Sequence, residues 1–234
     1  MQASLALLDL AHKASCGQSG GMVPRRLVQL YAGLMLYGVS LALMVRAALG
    51  LDPWDVFHQG LARSLGWSLG SVVIAVGALV LVLWIPLRQR PGLGTVSNVI
   101  VIGLAVDVVL RVLPHPDALA IRVVLLALGI ALNGVATAAY VGAGFGAGPR
   151  DGLSTGLVRR TGRTLRQVRT AVEVTVLVVG WVLGGSVGVG TVAYALTIGP
   201  LVHALTPLLT VAPPTTPAPD RAVRTSTRGR PARP

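Results

Sequence analysis

Residues 50–66 read GLDPWDVFHQGLARSLG, and residues 146–162 read GAGPRDGLSTGLVRRTG. Pro53, Asp55, Gly60, Leu61, Arg63 and Gly66 of the first stretch stand in register with Pro149, Asp151, Gly156, Leu157, Arg159 and Gly162 of the second, at an offset of 96 residues. The same offset aligns Gly33 with Gly129, Gly38 with Gly134, Val39 with Val135, Ala42 with Ala138 and Gly50 with Gly146. It also aligns Gly92-Leu93-Gly94-Thr95-Val96 with Gly188-Val189-Gly190-Thr191-Val192. Chance similarity between apolar runs would match Leu with Val; it would not hold Pro, Asp, Gly and Thr in register. The chain reads as a duplication.

What lies between the matched stretches is apolar. The 234 residues are 53% hydrophobic and only 12% charged, against about 25% charged in a soluble domain. A bilayer core takes about 20 apolar helical residues to cross. The runs predict six spans, at 26–48, 68–87, 93–113, 120–141, 170–185 and 189–211. The fifth is the weakest, being short and carrying Glu173. The expected fold is an all-α membrane protein of about six transmembrane helices in two inverted three-helix repeats, each with a short interfacial or re-entrant helix. The expected boundaries are an unstructured N-terminal tail at 1–24, repeat 1 at 25–115, repeat 2 at 116–211 and a disordered Pro/Thr/Arg-rich cytoplasmic tail at 212–234.

Three spans per copy would invert the second copy, and charge gives an independent test of that. Cytoplasmic loops carry the excess of Lys and Arg. With the N-terminus inside, sixteen of the twenty basic residues fall on the inner side, and only Arg46, Arg63, Arg111 and Arg122 fall outside. The expectation is a multi-pass protein of the bacterial inner membrane with both termini cytoplasmic.

Composition also excludes function classes. The net charge of +12 would suit nucleic acid, but the charge lies in short loops and tails rather than on one face. Cys16 is the one cysteine, so no disulfide forms within the chain. The Leu5–Leu10 run is short and has no basic residue before it, which makes a poor signal peptide. There is no HExxH, no GxSxG and no cluster of metal ligands, so no enzyme, metal or cofactor is expected.

The residues that could carry chemistry are few. Asp55 and Asp151 each lie two residues after a proline, Pro53 or Pro149. Pro opens helices and an acid in the first turn suits the helix dipole, so both can be helix starts. They can equally line a path, since proline-broken helices meeting at depth are a transporter architecture. Gly92, Gly94 and Thr95, with Gly188, Gly190 and Thr191, open two spans; they read as close packing or as an anion cradle. Asn98, Asp107, Asn133, Glu173 and His203 lie within spans. Asp107 and His203 are equivalent in the two copies and could exchange a proton across the centre, or Asp107 could pair with Arg111 one turn away. Arg169 stands four residues before Glu173 and can neutralise it.

The run Arg26-Leu27-Val28-Gln29-Leu30-Tyr31-Ala32-Gly33, followed by Gly50-Leu51-Asp52-Pro53-Trp54-Asp55-Val56 and Gly92-Leu93-Gly94-Thr95, resembles the bacterial YczE-like membrane proteins of the YczE/YyaS/YitT group. So does Gly146-Ala147-Gly148-Pro149-Arg150-Asp151-Gly152-Leu153. The resemblance covers about residues 25–205. It implies a multi-pass inner-membrane location and a fold, and it carries over no catalytic residue. The expected function is a small transporter or permease for an unknown solute. The alternative is a membrane-embedded accessory or regulatory protein acting through a protein or lipid partner. The expected partners are the lipid bilayer and a solute or membrane partner, with a possible homodimer through the small-residue faces and no nucleic acid.

Overall fold

In the computed structural model, residues 2–211 are described, with side chains from Val23 onward; the expected C-terminal tail lies outside them. Eight helices follow one another: α1 Gln2–Ala47, α2 Pro53–Leu65, α3 Leu69–Trp84, α4 Leu93–Val112, α5 Leu119–Gly142, α6 Pro149–Thr161, α7 Leu165–Val182 and α8 Val189–Leu209. Among the described residues there is no strand. The order long, short, medium, long appears twice, and the short helices start and stop 96 residues apart.

Local chemistry sets those boundaries. Pro53 and Pro149 each occupy the first position of their helix, where a missing N–H costs nothing. Gly66 and Gly162 each end it in the left-handed conformation, at φ 67°, which glycine adopts without strain. Asp52 caps α2 by accepting the Asp55 N–H at 2.7 Å. Its counterpart Gly148 has no side chain to do so.

The halves grip each other reciprocally. Arg26, at the start of the α1 span, donates to Ala143 O at 2.8 Å and Gly144 O at 3.1 Å, just past the end of α5. Arg122, its equivalent near the start of α5, donates to Ala47 O and Ala48 O, both at 2.7 Å, at the end of α1. A guanidinium on a helix C-terminus satisfies the free carbonyls and suits the dipole. These bonds make α1 and α5 antiparallel. Close approach along the pair is reciprocal too: a Cβ on Gly33 would sit 2.9 Å from Tyr140 N, and one on Gly129 would sit 3.1 Å from Ser40 O.

The glycine-rich starts of α4 and α8 serve the same exchange. Gly94 N–H donates to Phe145 O at 2.9 Å, and Gly190 N–H donates to Leu49 O at 2.8 Å. Gly92 N–H and Gly188 N–H donate to the hydroxyls of Thr95 and Thr191 at 3.2 and 3.3 Å. These amides are occupied by protein acceptors, so close packing is what the two motifs do and the anion cradle is not formed.

The short helices cross over: α2 packs on α7 of the other half, and α6 on α3. Gly180 admits Val56 and Phe57 of α2, while Gly152 on α6 admits Trp84 of α3.

Four segments are long and apolar enough to cross a bilayer: Val23–Ala47, Leu93–Val112, Leu119–Gly142 and Val189–Leu209. A fifth arises if α2 and α3, bent by 114°, count as one broken span. That falls short of the expected six for two reasons. α3 has 16 residues, about 24 Å at 1.5 Å per residue, against a hydrocarbon core of about 30 Å. α7 carries Arg166, Arg169 and Glu173 within its 18 residues. Bare apolar side chains cover the outside, among them Leu79, Leu104, Val124, Trp181 and Leu196. A monomeric soluble protein rarely exposes so much apolar surface in one piece.

Candidate functional site

The crossed short helices bring their N-terminal ends together over a cavity of about 660 Å³. This falls within the size range of small-molecule sites. α2 places Asp52, Trp54, Asp55 and His58 on its wall, and α6 places Arg150 and Asp151.

Arg150 reaches from α6 to both carboxylates of α2. Its Nη1 lies 3.2 Å from Asp52 Oδ2, and its Nη2 lies 3.3 Å from Asp55 Oδ1. His58 Nδ1 is 3.1 Å from the same Asp55 oxygen. The guanidinium carbon also sits 5.2 Å above the Trp54 ring, within cation–π range. Asp52 and Asp55 are only 1% and 0% exposed, whereas the Arg150 side chain keeps 31% and also lines the cavity. Removing two carboxylates from water costs several kcal/mol each, so one guanidinium shared between them is a costly arrangement. Among the described residues, Asp55 Oδ2 has no hydrogen-bond partner.

A second ion group lies on the same wall, nearer its edge. Arg169 Nη2 is 2.7 Å from Asp151 Oδ1, and Arg169 Nε is 3.6 Å from Glu173 Oε1. The Arg169–Glu173 pair is thus formed as the i, i+4 spacing suggests.

The candidates read from sequence divide clearly. Asp55, Asp151, Glu173, Asn98 and His203 all line this cavity. Asn133 is fully buried behind it, donating to Ser40 Oγ and accepting from the Tyr194 hydroxyl, both at 2.9 Å. Asp107 is not part of the cavity wall. It accepts from Gly70 N–H at 2.7 Å and from the Ser68 hydroxyl at 2.5 Å, fastening the start of α3 to α4. The expected exchange of a proton between Asp107 and His203 therefore has no geometry here, and the Asp107–Arg111 pair is not formed. Asp52, His58 and Arg150, the rest of the central cluster, were not singled out by sequence. Among the described residues no three His, Cys, Asp or Glu side chains converge to hold a metal ion.

The two halves differ at the cavity mouth. α3 and α4 are sealed by Gly70 against Gly103 and by Gly77 against Val99. The equivalent positions on α7 and α8 are Arg166, Gly199, Glu173 and Ala195, and a Cβ at Gly199 would meet nothing within 4 Å. Both α7 and α8 contribute to the cavity wall, through Arg169 and Glu173 on one and Tyr194 and His203 on the other.

A family of unknown function, DUF6198, matches residues 24–207, the whole bundle that builds the cavity. The chain belongs to that family. A similar relative is an uncharacterized protein of Haemophilus influenzae, 38% identical over 174 residues, covering 74% of this chain and 80% of the relative. The uncharacterized membrane protein YczE of Bacillus subtilis is 36% identical over 172 residues, covering 72% and 80%. The uncharacterized protein YyaS of the same bacterium is 25% identical over 181 residues, covering 76% and 90%. Membership in the YczE-like group follows, and the protein is a membrane protein. No solved structure matches it.

Proposed function

We propose that the protein is a small-solute permease of the bacterial inner membrane, with its two halves in opposite orientations and both termini cytoplasmic. In this reading α1, α3 and α4 cross the membrane, as do α5, α7 and α8, while α2 and α6 are re-entrant. The short α3 is accommodated by local thinning of the bilayer. The observation that carries the proposal is the buried Arg150–Asp52–Asp55 group, set where two proline-started helices meet over a cavity. Ionisable groups at membrane depth are expensive and mark pathways by default. Broken helices converging between inverted repeats are how secondary transporters build a central site. The antiparallel α1 and α5 and the sixteen inner basic residues support the orientation. The unsealed α7–α8 side would then be the current entrance, facing the cytoplasm, with the Gly70–Gly103 seam closing the other.

The test is flux into liposomes containing the purified protein, across a panel of cationic, neutral and anionic small solutes. Saturable flux of at least one solute is expected, falling by about tenfold or more in Asp55→Asn, since a charge-assisted hydrogen bond is worth about 1.5–3 kcal/mol. Flux equal to empty vesicles across the whole panel would leave the accessory-protein reading in its place.

A further inference from the structure

The cavity wall concentrates acid in a basic protein. Four of the chain's eight carboxylates line it, Asp52, Asp55, Asp151 and Glu173, against two of its twenty basic residues, Arg150 and Arg169. Both guanidinium groups are already engaged: Arg150 by Asp52 and Asp55, Arg169 by Asp151 and Glu173. An incoming anion would have to displace a carboxylate from one of them. The unmet demand has the opposite sign. Asp55 is wholly buried in the wall, and its Oδ2 has no partner among the described residues. His58 and His203 also face the cavity, His58 with its Nδ1 turned to the other Asp55 oxygen.

The rest of the wall narrows the class of cation. Tyr37, Trp54, Tyr140 and Tyr194 contribute aromatic surface, and Val76, Val80, Ile102 and Ile198 contribute aliphatic surface. Aromatic faces attract organic cations, increasingly so where water is excluded. A bare metal ion needs several converging oxygen or nitrogen donors, and no cluster of three such side chains forms among the described residues.

We infer that the cavity binds a small organic cation, a protonated amine on an apolar body, with Asp55 turning its buried, unpartnered oxygen to the ammonium and the body against the aromatic wall. This rests on the permease reading for its physiological meaning, but binding can be measured without transport.

The experiment is isothermal titration of the full chain in lipid nanodiscs, with empty nanodiscs subtracted, using three probes of one shape: benzylamine, benzyl alcohol and benzoate. Benzylamine is expected to bind saturably, about tenfold or more tighter than the other two. Asp55→Asn should abolish that preference. Glu173→Gln, which alters a half-exposed carboxylate and spares the buried cluster, should weaken benzylamine by about threefold. Benzoate binding as tightly as benzylamine, or no saturable benzylamine heat, would overturn the assignment. So would unchanged binding in both variants. Benzylamine binding without flux would keep this assignment and remove the permease reading; flux of neutral or anionic solutes alone would do the reverse.

Discussion

Arg150→Ala lowers the stability of the purified protein by about 3–5 kcal/mol, the cost of stranding a buried charge once its partner is gone. Two carboxylates are stranded here rather than one, since Asp52 and Asp55 are 1% and 0% exposed and Arg150 is the guanidinium that serves both. Truncation also removes the side chain stacked over Trp54. Arg150→Lys is intermediate, because an ammonium is a point charge and cannot span two carboxylates with a planar fork. The control is the triple variant Arg150→Ala with Asp52→Asn and Asp55→Asn. Asn caps helices as well as Asp does, so the triple variant keeps the start of α2 and no longer buries unpaired charge. It should recover most of the stability lost by Arg150→Ala alone. Thermal melting of all four proteins in one detergent checks this. A triple variant no more stable than Arg150→Ala would mean that packing, not charge, explains the loss.

Gly180→Ala destabilises the fold by about 1–3 kcal/mol, the usual cost of forcing extra carbon into a packed seam. A Cβ there would lie 2.5 Å from both Phe57 N and Phe57 Cα. Those are backbone atoms of α2, so no side chain can swing aside and the helix itself must move. The same residue change at Gly199 on α8 meets nothing within 4 Å. In mid-helix, glycine to alanine ordinarily stabilises by about 0.8–1 kcal/mol, but Pro200 follows Gly199 and crowds a Cβ on the residue before it, so the two effects oppose and Gly199→Ala should cost clearly less than Gly180→Ala. One substitution, two helices of the same half, a large loss against a small change: melting temperatures decide it. Gly180→Ala melting as high as the parent protein would mean that α2 and α7 do not cross this closely.

Much of the fold was legible because turn chemistry is local. Pro53 and Pro149 announce helix starts and Gly66 and Gly162 announce helix ends. The offset of 96 survives because those positions tolerate few alternatives. The span count was harder to read. Hydropathy runs continue through Ile85 and Leu87, but the α3 helix stops at Trp84. The charges of α7 were visible in the sequence; where they point was not.

The site shows the opposite pattern. The ionisable residues in apolar surroundings, Asp55, Asp151 and Glu173, stood out by being there at all. Asp52, His58 and Arg150 did not, because attention to matched positions passes over places where the copies differ. Those three are where the halves diverge: Asp52 faces Gly148 in the alignment, His58 faces Ser154, and Trp54 faces Arg150. An Asp-x-x-His spacing on a short helix was the available signal for His58. The Asp107–His203 idea failed for a geometric reason. Residues equivalent under a two-fold relation approach each other only if they lie near its axis, and Asp107 lies instead beside the start of α3.

The claim on which the rest depends is that the two halves face opposite sides of the membrane. With Cys16 replaced by serine, single cysteines at Ser64 and Thr161, both exposed at the ends of α2 and α6, report it directly in intact cells treated with an impermeant thiol reagent. Labelling at position 64 is expected from outside, and labelling at position 161 only after the membrane is opened. Labelling of both positions from the same side would contradict it.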